Sequence, residues 1–228
     1  MITTFTSNRW FSFIVACAVA PAANFILYQA PYFYVYDITV LFTFTLGLAL
    51  LARRKWEAFL ITLFFASLAK ETSIFLVCIF GFHYWNKLSR KQYWQNIIAQ
   101  LFIYGLVRLG LMFIFRNNPG SIISSTLNFQ LHIYQYLPYA GFLYFSAFLL
   151  LLPIWIGWKE KPLFLRNATI ILFPFLLLYM IGGWPLEIRI FGECFPIIYA
   201  LMLWPFNITF SDVTQMNLAR KNRPSPEV

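Results

Sequence analysis

Eight apolar runs divide the chain: Trp10–Tyr28, Tyr36–Ala52, Trp56–Ala69, Thr72–Trp85, Ile97–Phe115, Leu137–Trp158, Asn167–Ile181 and Phe191–Phe210. Several reach the roughly 18–20 residues a helix needs to cross a bilayer. Between them stand basic clusters: "RRK" at Arg53–Lys55, "KLSRK" at Lys87–Lys91, "KEKPLFLR" at Lys159–Arg166, and "ARKNR" near the C-terminus. With Arg9, these clusters hold 13 of the 17 lysines and arginines. Basic residues gather in cytoplasmic loops of membrane proteins, so placing all of these clusters inside fixes an orientation. The pattern predicts an all-α, polytopic transmembrane bundle of about eight membrane segments, with both termini cytoplasmic. Residues 1–210 form one helical domain, and 211–228 a polar tail expected to be disordered.

That orientation has a local consequence. "RRK" and "KLSRK" are both inside, so residues 56–85 must go out and come back as a short helical hairpin. Each leg of about 14 residues covers roughly 21 Å, less than the roughly 30 Å hydrocarbon core. Lys70 and Glu71 then fall at the hairpin's apex, near the outer face. The competing reading is one kinked helix, which would invert everything after it. The longest outer loop, Arg116–Tyr136, opens with the turn-forming "NNPGS" and continues with an alternation from Leu127 to Ile133. It reads as a short strand or an interfacial segment, either of which could lie over a site.

Composition agrees with the pattern. The chain has 228 residues, 61% hydrophobic and 11% charged, against about 25% charged in a soluble domain. The expectation is an integral membrane protein in contact with membrane lipids. A net charge of +9 follows from the loop bias and calls for no nucleic-acid partner. Cys17, Cys78 and Cys194 match no metal-ligand spacing and read as buried structural thiols. Arg9 followed by "FSFIVACAVA" has some features of a signal peptide, but apolar character continues through "NFILY", so an uncleaved first helix is expected. His83 and His132 fall on opposite sides, and no metal site or phosphate loop is predicted. "NAT" at Asn167 and "NIT" at Asn207 match glycosylation acceptors by pattern but lie toward the inside.

Almost every charge outside the cytoplasmic parts is placed toward the outer face: Asp37, Lys70, Glu71, Arg116, Glu187, Arg189 and Glu193, with Arg108 about 12 Å below it on a helix. Neighbours in a helix point about 100° apart, so Lys70 and Glu71 each need a partner elsewhere, with Asp37, Glu187 and Arg189 at hand. A salt-bridge network joining helix ends would satisfy this layer. Arg108 could snorkel outward, and Asp37 could cap its helix. Alternatively the layer is a polar site: carboxylates suit general-base work, and cations suit a phosphate.

"YDITVLFTFTLGLALLARRKWEAFLITLFFASLAKETSIFL" and "EIRIFGECFPIIYAL" resemble segments of bacterial polytopic GT-C type glycosyltransferases, over about 30% of the chain. The resemblance implies a membrane enzyme that moves a sugar from a polyprenyl-phosphate donor to an extracytoplasmic acceptor. It implies Asp37, Glu71 and Glu187 as catalytic candidates, and Lys70, Arg108 and Arg189 as ligands of the lipid phosphate. A divalent metal is used by some such sites and is not indicated by this sequence. The family's acidic first external loop is here reduced to "QAPYFYVYD". The chain is therefore expected to be the C-terminal portion of a longer enzyme, a chain that has lost activity, or one in which Asp37 takes over. A transporter or flippase of a lipid-linked anion, or a non-catalytic membrane subunit, are the alternative functions.

Overall fold

A computed structural model describes residues 1–6, 9–28, 36–118, 132, 152–182 and 188–206, with the backbone alone for 20–28, 180, 182 and 188–190. Every regular element among the described residues is helical: α1 (Arg9–Tyr28), α2 (Tyr36–Ala52), α3 (Trp56–Ala69), α4 (Ile74–Tyr84), α5 (Arg90–Ile114), α6 (Leu163–Ala168), α7 (Leu172–Gly182) and α8 (Phe195–Phe206), with short 3₁₀ turns between them. Glu187, most of the outer loop after Asn118, most of the run Leu137–Trp158, Asn207 and the tail 211–228 lie outside the described residues.

The expectation of eight spans is not met at the level of helix length. Among the described residues only α5, with 25 residues, is long and apolar enough to cross a membrane by itself. The other apolar helical stretches there, Arg9–Val19 of α1 among them, have 10–17 residues, or roughly 15–26 Å. Local chemistry explains several breaks. Lys70 is extended (φ −158°, ψ 144°) and ends α3. The end of the run Leu137–Trp158 is two 3₁₀ turns, Leu152–Ile154 and Trp158–Glu160, around Pro153 and Gly157. Gly157 takes a left-handed φ of 61°, which a glycine adopts at no steric cost. α6 begins at Leu163, directly after Pro162, inside the basic segment that the charge pattern assigns to a loop.

The hairpin at residues 56–85 is present. Trp56, at the start of α3, makes edge contacts with Phe80 and Tyr84 at the end of α4, with centroids 5.4 and 5.1 Å apart. The Tyr84 hydroxyl donates to the Leu51 carbonyl at 2.6 Å, tying α4 to the end of α2. A single kinked helix would separate these groups by its whole length. α2 packs along α3, and α5 packs on both legs of the hairpin. Where α2 meets α4, Gly47 leaves room for Leu76: a Cβ at Gly47 would stand 2.9 Å from Leu76 Cδ1. α5 starts from an N-cap serine, Ser89 Oγ accepting from Gln92 N–H at 3.3 Å.

The hairpin brings the basic clusters together. Arg53 donates to the hydroxyls of Thr4 and Thr3. Arg54 lies over the Tyr84 ring, and Lys87 and Asn167 both reach His83. "RRK", "KLSRK" and α6 therefore share one end of the bundle, and Lys70 and Glu71 mark the other.

Apolar side chains fill the core and also cover much of the outer surface, and most hydroxyls inside the helices are satisfied locally. On α5, Ile98, Phe102, Leu109 and Phe113 are between 62% and 68% exposed. Hydroxyls within the helices turn back on their own carbonyls: Thr43 to Thr39, Thr45 to Leu41, Thr62 to Ala58 and Ser67 to Leu63, at 2.7–2.9 Å. Cys194 is buried, but Cys17 and Cys78 face outward, which corrects the reading of all three as buried. On their helices these two positions point away from the neighbours that would cover them.

Gln100 breaks the pattern. It is fully buried on α5, and neither its amide nitrogen nor its oxygen has a partner among the described residues. An unsatisfied buried amide costs about 1–3 kcal/mol. Gln100→Leu, of similar size, is therefore expected to raise the thermal midpoint of the detergent-solubilised chain, as read by a melting curve. A lower midpoint would mean that the amide has a partner after all.

Candidate functional site

The end of the bundle opposite the basic clusters is built around the break in the hairpin. Because Lys70 leaves the helix in an extended conformation and Glu71–Ser73 form a 3₁₀ turn, the two side chains leave in different directions. Lys70 Nζ meets Glu193 Oε1 at 2.7 Å, in the 3₁₀ turn Ile188–Glu193. Glu71 faces α5, where Arg108 Nη2 lies 3.5 Å from its Oε2.

These two ion pairs differ in setting. The Glu193 side chain is 1% exposed and that of Lys70 is 19% exposed. Thr72 Oγ1 donates to the same Glu193 oxygen that accepts Lys70. Glu193 Oε2 is buried with no hydrogen-bond partner among the described residues. This carboxylate clamps the hairpin apex to the segment before α8. The Arg108–Glu71 pair is open, with side chains 28% and 63% exposed, and such a pair contributes about 0–1 kcal/mol. Its position is nevertheless fixed. Arg108 Nη1 donates to the Ser67 carbonyl at 3.4 Å, and the Tyr104 hydroxyl donates to the Glu71 carbonyl at 3.0 Å. Ser73 Oγ donates to Ser67 Oγ at 3.1 Å, holding the turn against the last turn of α3.

Of the residues singled out from the sequence, Lys70, Glu71 and Arg108 are thus brought into one cluster. Asp37 is 8% exposed and lies in the first turn of α2, which begins at Tyr36, so it is not the residue before the helix. The 3₁₀ turn that carries Glu193 packs against α2 and α1. Arg189 lies in that turn with only its backbone described, and Glu187 lies outside the described residues. The sequence offers Asp37 and Glu187 as partners for Lys70; the partner found is Glu193. The pattern marks Glu193 as an outer charge but gives no reason to prefer it over its neighbours. Among the described residues no group of three or more His, Cys, Asp or Glu could hold a metal ion.

A second polar feature lies in a segment that the sequence presents as an exposed basic loop. Lys161 is 2% exposed. Its Nζ donates to the carbonyls of Pro153, Ile154 and Leu201 at 2.8, 2.6 and 2.7 Å. Leu201 needs such a donor. Position 205, whose N–H would close the helical bond to Leu201, is proline. Burial lowers the Lys161 ammonium from its ordinary 10.5 to about 8, while three carbonyl oxygens favour its charged form.

Compared with protein-family models, with curated proteins and with solved structures, the chain matches none.

Proposed function

We propose that the chain is a multi-pass membrane protein whose end at Lys70 and Glu71 faces the extracytoplasmic side and transfers a sugar from a polyprenyl-phosphate donor to an acceptor there. The membrane part of this reading draws on α5 and on the apolar outer surface. Phe42, Ile61 and Phe173 add exposures of 63%, 62% and 68% to those on α5. Large contiguous apolar surfaces are rare on soluble monomers. The hairpin legs, of roughly 21 and 17 Å, would enter the bilayer from the basic end without either reaching fully across.

The observation that carries the enzymatic part is the open Glu71–Arg108 pair, mounted on the buried Lys70–Glu193 clamp. Glu71 is accessible to an incoming hydroxyl, and Arg108 beside it suits a phosphate oxygen. In the proposed step the acceptor oxygen bonds to the anomeric carbon and its proton passes to Glu71. The bond from that carbon to the phosphate oxygen breaks, and the polyprenyl phosphate leaves held by Arg108. Lys70 is engaged by Glu193, so it would support the site more than bind the donor. Asp37 is an alternative base. Glu187 and Arg189 would complete the site from the segment before α8.

The test uses membranes containing the chain and a radiolabelled polyprenyl-phosphate sugar, following label out of the lipid fraction. Glu71→Gln is expected to slow transfer by about 10²–10⁴-fold, the usual contribution of a general base. Arg108→Met should slow it with little change in the amount of protein in the membrane. Transfer at the wild-type rate in Glu71→Gln would exclude Glu71 as base. A second reading, a non-catalytic membrane subunit, is favoured by the internal pairing of Lys70, Glu71, Arg108 and Glu193. Under that reading, removal of the chain leaves the label where it was.

A further inference from the structure

The basic end contains a cleft that the reading above does not use. It is an open cavity of about 550 Å³ between the end of α4, the turn that follows it, the start of α5 and α6. His83, Asn86, Lys87 and Asn167 supply its polar wall, and Trp85 and Tyr93 its aromatic one. We propose that this cleft binds a phosphate group, carried by an anionic lipid headgroup or free in solution.

The lining carries several donors and no carboxylate. Lys87 Nζ lies 2.9 Å from His83 Nε2, and Asn167 Nδ2 lies 3.2 Å from His83 Nδ1. With Nε2 as its acceptor nitrogen the His83 ring accepts from Lys87, leaving that ammonium two further protons to donate, while Asn167 lies against the other ring nitrogen. The Asn86 amide adds two more donors. Arg54, whose guanidinium lies 5.8 Å from the Tyr84 ring centroid, adds a second cation nearby. Among the described residues neither Lys87 nor Arg54 pairs with a carboxylate, the two ion pairs there being those at the opposite end. Burial, and then the charge of Arg54, lower the Lys87 pKa. Two unneutralised cations that repel one another form a site that an anion would stabilise.

The rim argues for the lipid form. Trp85 and Trp94 are 59% and 51% exposed, with centroids 6.4 Å apart. Exposed indoles beside basic residues sit at the headgroup level of a bilayer. The lipid form rests on the membrane reading proposed above, and the free-phosphate form does not.

The test purifies the full chain in mild detergent and quantifies co-purifying anionic phospholipid by mass spectrometry. Lys87→Gln is expected to lower the retained anionic lipid by about tenfold, the loss of one charge-assisted hydrogen bond. Lys55→Gln removes the same charge from an exposed position at the same end, outside the cleft, and should leave retention nearly unchanged. Asn86→Asp, which adds a negative charge at an exposed rim position, should lower it as well. Delipidated protein is then titrated with inorganic phosphate while tryptophan fluorescence is followed. A saturable response lost in Lys87→Gln assigns the site to free phosphate. Lipid retention without that response assigns it to a headgroup. Equal losses in Lys87→Gln and Lys55→Gln would reduce the effect to diffuse surface charge and overturn the proposal. So would a wild-type chain that retains no anionic lipid and gives no phosphate response. Carbonate extraction of the wild-type chain from membranes, measured separately, tells a failed cleft from a failed membrane reading.

Discussion

Lys161→Met is expected to destabilise the chain by on the order of 3–5 kcal/mol, among the largest effects of any single substitution. The ammonium holds three carbonyls from two distant segments, Pro153 and Ile154 on one side and Leu201 on the other. Methionine fills much of the same volume but donates nothing. Each buried acceptor left unpaired costs about 1–3 kcal/mol. Pro205 makes the loss at Leu201 unavoidable, since the helix cannot offer its own N–H there. A companion test restores that donor: Pro205→Ala should recover part of the loss in the Lys161→Met background. Additive effects of the two changes would argue against the link.

The same residue gives a pH dependence whose sign can be worked out. Lys161 has a folded-state pKa of about 8 and an ordinary value of 10.5. Between these values the unfolded chain carries the extra proton, so the stability of the folded chain rises with pH across that window. Below about pH 8 both states are protonated and this group contributes no slope. The difference in melting midpoint between wild type and Lys161→Met is therefore expected to widen from pH 8 to 10.5. A constant difference would mean that the carbonyl cage holds the ammonium near its ordinary value.

Lys161 also marks where reading the sequence stops. With Lys159, Glu160 and Pro162 around it, the position looks like part of an exposed basic turn. Nothing local shows that an orphan carbonyl 40 residues later will draw the side chain inward. The position of Pro205 in an apolar run is the one available hint. By contrast, the hairpin at 56–85 is legible, because two basic turns on one side force the chain between them to reverse. The apex follows from it, and with it the neighbourhood of Lys70, Glu71 and Arg108. Helix lengths are less legible, since hydropathy does not see breaks such as the extended Lys70 or the turns around Pro153 and Gly157. Partner choice is invisible for a different reason. The sequence pattern assigns Asp37, Glu187 and Glu193 the same charge near the same face, and packing is what brings Glu193 to Lys70.

That selection leads to the second large effect. Lys70→Met leaves the Glu193 carboxylate buried with Thr72 as its one remaining hydrogen-bond donor among the described residues. Removing one partner of a buried ion pair typically costs about 3–5 kcal/mol, because the other charge stays desolvated. Glu193→Leu is expected to cost somewhat less, since Lys70 is 19% exposed and can turn toward solvent. In the double variant Lys70→Met/Glu193→Leu no charge remains to be stranded, and an apolar pair of similar volume often equals or exceeds the ion pair it replaces. Its stability should therefore return close to wild type, giving a coupling energy of several kcal/mol in a double-mutant cycle. The cycle also separates the two roles open to this end of the bundle. If the Lys70–Glu193 pair is only a clamp, the restored double variant keeps whatever sugar transfer the wild type has, and Glu71→Gln alone slows it. If transfer is lost in a double variant that melts like wild type, Lys70 or Glu193 touches the substrate, and the site extends past the open pair.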